Sequence, residues 1–197
     1  MSICLFGGTF DPIHNGHLIM AQWTLNEVPD IDEVVFIPAA RPPHKINHNY
    51  TPSEHRLAMV EKATNDNPQF SVSDVESKMS GPSYSVKTIK YFRKKYNFDK
   101  HSPYFLIGED SLVNLDQWKE PEQILSLANV LVVQRFGDQI KERESKYKDK
   151  VHILQNAPYL DISSTLIRNI NKSGKSIRYL VPSAVEQYIH DHHLYNE

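Results

Sequence analysis

A single cysteine, Cys4, stands among 197 residues. It has no partner for an intramolecular disulfide, so a disulfide-stapled scaffold is excluded. Its place in the first apolar run predicts a buried core thiol. Excess charge of either sign is also missing. Lys and Arg number 22 against 24 Asp and Glu, a formal net charge of −2, with a pI near 6.5. The basic footprint of a nucleic-acid binder is therefore absent, although a small basic pocket for a phosphorylated ligand remains compatible. No run approaches the ~18 apolar residues of a membrane helix. The N-terminus carries no basic segment and only a short apolar stretch, which argues against a signal peptide. The expectation is a cytoplasmic protein with neither membrane nor nucleic acid as partner. Its oligomeric state is left open, a homo-oligomer included. What is present is ordinary for one globular domain spanning 1–197: 40% hydrophobic and 23% charged residues, in a chain long enough to bury a core.

Short apolar runs alternate with segments of helical spacing. Residues 3–6 read as a buried strand stopped by Gly7 and Gly8. Residues 16–28 allow a helix through Leu18, Ile19, Ala21, Trp23 and Leu25, ending near Pro29. EVVFI at 33–37 is a second strand. Residues 38–51 hold three prolines and no period, a loop of the length that is often functional. A helix begins at Ser53 with Leu57, Met59, Val60 and Ala63. A weak strand follows at 70–72, a helix at 85–96, and strands at 104–107, 130–133 and 151–154. Short helical turns at 124–128 and helices at 163–171 and 182–192 complete the chain. The run KERESKYKDK at 141–150 reads as a mixed-charge surface stretch, and the histidines at 190, 192 and 193 as a solvated tail. This order predicts an α/β, Rossmann-like, doubly wound and mainly parallel sheet with helices on both faces.

In such a sheet ligands bind beyond the carboxyl ends of the strands. There the sequence reads GGTFDPIHNGH, residues 7–17. Glycine at 7 and 8 permits close approach of a ligand to the backbone. Asp11-Pro12 is a turn pair. His14 and His17, three apart, share a helical face at a helix N-terminus, where free N–H groups and the helix dipole favour an anion. Imidazole N–H groups add directional donors. Neither standard phosphate-loop pattern fits. A metal site is the competing reading, but no Cys or carboxylate stands at a convincing local spacing.

GTFDPIHNGH resembles the (H/T)xGH element of the nucleotidylyltransferase superfamily. The resemblance implies a Rossmann-like protein that moves a nucleoside monophosphate from a triphosphate to an acceptor, releasing pyrophosphate. A second stretch, DISSTLIR at 161–168, supports it. Ser163 or Ser164 can cap the helix that follows, and Arg168 can hold two phosphate oxygens with its fork. The superfamily carries a similar ISSTxIR element that faces the triphosphate from the opposite side. NINKSGKS at 169–176 misses the P-loop pattern and follows a helix, so Gly174 reads as a helix-terminating glycine.

Three further stretches bear on the acceptor: IPAARPPHK at 37–45, GPSYSVKTI at 81–89 and IGEDSLVNLDQWKEP at 107–121. With RFG at 135–137 and YLVP at 179–182, they resemble the bacterial nicotinate-mononucleotide adenylyltransferases over nearly the whole chain. That resemblance implies a set of ligand contacts. Gly7, Gly8, Thr9, Phe10, His14, His17, Gly108, Asp110, Ile162, Ser163 and Arg168 would hold ATP. His44, Lys45, Tyr84, Ser85, Asp110, Trp118 and Arg135 would hold nicotinate mononucleotide (NaMN), its ring stacked on Trp118. His17, with His14 and Arg168, would stabilise the reacting phosphates, and Mg²⁺ would bridge them without a protein cage. Ser85 stands where threonine is usual and Phe136 where proline is. Nicotinamide mononucleotide (NMN) and phosphopantetheine are the alternative acceptors.

Overall fold

The computed structural model describes residues 2–43, 50–98, 103–135, 145–158 and 160–196, with Arg135 described by its main chain only. Six strands form one sheet: β1 (Ile3–Gly8), β2 (Glu33–Pro38), β3 (Phe70–Val72), β4 (Tyr104–Gly108), β5 (Asn129–Arg135) and β6 (His152–Ala157). Their spatial order is β3-β2-β1-β4-β5-β6, and every described pairing is parallel. The sheet is thus parallel throughout, where the sequence predicts only a mainly parallel one. The helices are α1 (Asn15–Glu27), α2 (Ser53–Thr64), α3 (Val75–Lys78), α4 (Ser85–Lys95), α5 (Glu109–Val113), α6 (Pro121–Leu127), α7 (Ser164–Lys172) and α8 (Ser183–Asp191).

Successive strand side chains point to opposite faces, and this divides the core in two. Cys4, Phe6, Val34, Phe36, Leu106, Leu131 and Val133 face α1, α2, α7 and α8. Ile3, Leu5, Val35, Ile37, Phe105, Ile107, Val130 and Val132 face α3, α4, α5 and α6. Both faces are covered, so the strands read in sequence as unbroken apolar runs. Cys4 is fully buried, as expected, and burial pushes its thiol pKa up. No described helix is long and apolar enough to cross a membrane.

Helix boundaries follow local chemistry. Ser163 caps α7 by accepting a hydrogen bond from the Leu166 N–H at 3.2 Å. Gly174, at φ +71°, ends it: its N–H reaches Asn171 O and the Lys175 N–H reaches Ile170 O, the paired closure that a left-handed residue permits. The turns α3 and α5 were not expected, since four or five residues are too few to show a helical period. The expectation of a purely surface stretch at 141–150 needs correction. Residues 141–144 lie outside the described residues, but Tyr147 is buried in the second core layer. Its hydroxyl donates to Glu122 Oε1 at 2.5 Å. A phenol has an apolar body and one polar end, so it can enter a core from a charged run.

The order of strands also places the crevice. The chain lays β2 and β3 on one side of β1, then crosses back to put β4 on the other side. Crossovers diverge there, opening a gap above the carboxyl ends of β1 and β4.

Candidate active site

Gly7 and Gly8 end β1, and Gly108 ends β4 as the residue preceding α5. A Cβ on Gly8 would lie 2.8 Å from the Phe10 ring, so glycine is required there for Phe10 to fold back. Phe10 sits at φ +49°. Its ring is buried, edge-on to Phe6 at 5.5 Å and to His17 at 5.0 Å. Phe10 therefore supports the site from beneath instead of offering its ring to a ligand.

His14 precedes α1 and His17 lies in its first turn. Their rings stack at 3.7 Å. The His14 main-chain N–H donates to His17 Nδ1 at 3.2 Å. A lone pair at Nδ1 puts the imidazole proton on Nε2, at the far end of the ring. Gly16 makes room for this pair, because a Cβ there would lie 3.1 Å from the His14 ring. The helix terminus itself offers less than expected. The Asn15 N–H is taken by Leu180 O at 3.0 Å and the His17 N–H by His14 O at 2.9 Å.

The loop between β1 and α1 is held by α7. Ser164 Oγ donates to Pro12 O at 2.9 Å, and Arg168 Nη1 donates to Asp11 O at 2.7 Å. Arg168 Nη2 reaches Thr165 Oγ1 at 3.2 Å. The two phosphate elements expected from the sequence, 7–17 and 161–168, are thus in direct contact. Two of five guanidinium N–H donors are accounted for by these bonds. Ser163 is exposed at the helix start, while Ile162 packs partly against the core.

A cleft of about 280 Å³ opens beside the glycines. Gly7, Gly8 and Thr9 line it together with Ala39, Pro42, Pro43, Tyr84, Ser85 and Trp118. Trp118 is also edge-on to Phe105 at 6.3 Å, so it covers the core and lines the cleft at once. The walls are tied together: the Arg41 N–H donates to Ser83 Oγ at 3.0 Å, and the Ser83 N–H to Arg41 O at 2.9 Å. Asp110 is exposed in the first turn of α5, and its neighbour Ser111 lines the cleft in its place. Arg135 ends β5 with its side chain outside the described residues, as are His44 and Lys45 entirely.

Several residues of this region were not read from the sequence. Arg56 is buried, with Nη1 donating to Thr9 O at 2.7 Å and Nε to Thr51 O at 2.9 Å. It joins the loop after β1 to the chain entering α2. Burial lowers its pKa, and the nearby Asp11 carboxylate opposes that. A signal existed, since Arg56 shares the apolar face of Val60 and Ala63 at i, i+4 and i+7. Glu76, also buried, lines the cleft and accepts from Thr88 Oγ1 at 2.6 Å. Burial raises its pKa, against the opposing effects of Thr88 and Ser83.

This architecture is matched closely elsewhere. Residues 5–170 match the Cytidylyltransferase-like family. A protein of Caldicellulosiruptor bescii described as a probable nicotinate-nucleotide adenylyltransferase is 40% identical over 195 residues, 96% of each chain. One of Thermomicrobium roseum with the same description is 42% identical over 196 residues, 97% of this chain and 90% of the other. The fold is shared with the Plasmodium falciparum nicotinic acid mononucleotide adenylyltransferase complexed with NaAD. There the TM-score is 0.80 at 20% identity, over 99% of this chain and 97% of that one. On these matches, which span most of its length, the chain belongs to the nicotinate-nucleotide adenylyltransferases of the Cytidylyltransferase-like family.

Proposed function

We propose that this protein transfers AMP from ATP to NaMN, giving nicotinate adenine dinucleotide and pyrophosphate as a step of NAD synthesis. The observation that carries the reading is the cleft. One volume joins the glycine turn and Thr9 to Tyr84, Ser85 and Trp118. A phosphate can therefore lie at the sheet edge while a flat ring lies against an aromatic wall. Its size, about 280 Å³, is near the lower end of small-molecule sites, about 300 Å³.

The NaMN phosphate is the nucleophile and is already an anion, so no general base is needed. It attacks the α-phosphorus of ATP in line, forming one P–O bond as the bond to pyrophosphate breaks. Catalysis then rests on positioning and on stabilising charge. His17 Nε2–H is the donor assigned to the transferring phosphate, and His14, stacked against it, keeps the ring in place and is assigned to a neighbouring oxygen. Ser163 and the remaining Arg168 donors take the leaving pyrophosphate. Tyr84, Ser85 and Trp118 orient the pyridine ring, the Ser85 main chain facing its carboxylate. Asp110 is assigned to ribose hydroxyls, and His44, Lys45 and Arg135 to the mononucleotide.

Among the described residues no group of three or more His, Cys, Asp or Glu is placed to hold a metal. Mg²⁺ would come with the triphosphate, which would be its main ligand. When bound it supplies neutralisation of phosphate charge. ATP as cosubstrate favours a cytoplasmic site of action.

Pyrophosphate release from ATP and Mg²⁺ tests the reading, with NaMN, NMN or phosphopantetheine as acceptor. Release with NaMN well above the other two is expected. Equal turnover of NMN overturns the acid specificity, and release with none of the three overturns the activity.

A further inference from the structure

The last residues of the chain return to the phosphate site. After α8, Tyr195 reaches back 184 positions, and its hydroxyl donates to Asp11 Oδ1 at 2.7 Å. Asp11 is buried, and its other carboxylate oxygen accepts the Thr51 N–H at 3.3 Å. Its main-chain carbonyl holds Arg168 Nη1. Three turns of chain thus meet on one aspartate.

The tail is held for this purpose by the helix that carries Arg168. Asn171 Nδ2 donates to Leu194 O and to Asn196 Oδ1, both at 3.1 Å, gripping the chain on either side of Tyr195. The Leu194 N–H returns to Ile189 O at 3.0 Å. His193 and Tyr195 both adopt left-handed backbone, at φ +51° and +62°, a conformation that non-glycine residues keep only where their surroundings impose it. The result is a closed circuit. It runs from Asp11 to Arg168, along α7 to Asn171, into the tail, and through the Tyr195 hydroxyl back to Asp11. Cutting the circuit at the phenol leaves the Asp11 peptide restrained by fewer bonds, and with it the guanidinium anchored on its carbonyl.

We propose that Tyr195 is a positioning residue for the triphosphate, acting through Asp11 to fix the Arg168 fork. The proposal rests on the assignment of Arg168 to ATP phosphates made above. It does not depend on which acceptor is used.

Tyr195→Phe in the full chain removes the hydroxyl and keeps the ring. Calorimetry with a non-hydrolysable ATP analogue is expected to show a roughly five- to tenfold rise in Kd, less than the full effect of losing a hydrogen bond to a charged group because the phenol acts on the phosphates only through Asp11 and Arg168. The KM for NaMN should stay within twofold. Tyr188→Phe is the control, since it removes another hydroxyl of the same C-terminal region, bonded to His55 Nδ1 at 2.9 Å, and should leave the Kd unchanged. Asp11→Ala combined with Tyr195→Phe should bind ATP no worse than Asp11→Ala alone, because alanine leaves the phenol no acceptor and both changes break one unit. A Kd within twofold of wild type, an equal rise in the NaMN KM, or full additivity of the two substitutions overturns the proposal. Wild-type protein that binds the analogue but does not adenylylate NaMN refutes the acceptor and leaves this binding test decisive.

Discussion

Replacing His17 with alanine separates the chemistry of this site from its stability. The substitution removes three things. The first is the bond from the His14 N–H to Nδ1, at 3.2 Å a long one, contributing about 0.5–1 kcal/mol. The second is the ring packing on His14 at 3.7 Å and Phe10 at 5.0 Å, about 0.5–1.5 kcal/mol for a pair of this kind. Alanine's better helix propensity returns about 0.5 kcal/mol. The net loss of stability is about 0.5–2 kcal/mol, small beside the ~5–15 kcal/mol of a typical domain. The third is the Nε2–H donor. A preorganised donor at a developing charge is worth about 2.7–4 kcal/mol, so kcat should fall about 10²- to 10³-fold. Pyrophosphate release at saturating ATP and NaMN measures the loss of the donor, and urea unfolding the loss of stability. His17→Asn sharpens the comparison: its Oδ1 can accept the His14 N–H, but nothing replaces Nε2–H. It should be more stable than the alanine variant and equally impaired. A folded alanine variant with kcat within tenfold of wild type would refute the role of His17.

Arg56→Met should cost about 3–5 kcal/mol in urea unfolding, since it strands the Thr9 and Thr51 carbonyls and leaves Asp11 without a buried countercharge; a loss under 1 kcal/mol would contradict the pinning of two loops by one guanidinium. Trp118→Ala should raise the NaMN KM about 5- to 30-fold, the equivalent of ~1–2 kcal/mol for a cationic ring on an indole face, with the ATP KM unchanged; an unchanged NaMN KM would remove the stacking role. Burial raises the Glu76 pKa from the usual 4.5, so the unfolded chain ionises first and wild-type stability falls as pH rises from about 4.5 through the folded-state value. Glu76→Gln cannot ionise, so its Tm relative to wild type should be more favourable at pH 7.5 than at pH 4; a pH-independent difference would show that Glu76 carries no buried charge.

Much of the frame was legible in the residues. Apolar runs such as EVVFI and LVV became buried strands because both sheet faces are covered. Ser163 and Gly174 marked the two ends of α7 through chemistry that acts over four residues. GGTFDP predicted a turn, and the turn is there. The short helices α3 and α5 carried no legible period, and Tyr147 was hidden in a charged run because polarity counted over a window says nothing of one phenol.

Sequence alone determined the strand–helix alternation, the pairing of His14 with His17 on one helical turn, and the glycine edge at Gly7 and Gly8. All of these act within a few residues, where backbone geometry leaves few choices. Tertiary structure decided what those groups meet. It turned Phe10 inward beneath His17, spent the Asn15 amide on Leu180, and set Arg168 and Tyr195 on opposite atoms of Asp11. Such contacts join positions up to 184 residues apart. Chain separation encodes no direction, so only the packed sheet and its crossovers could select those partners.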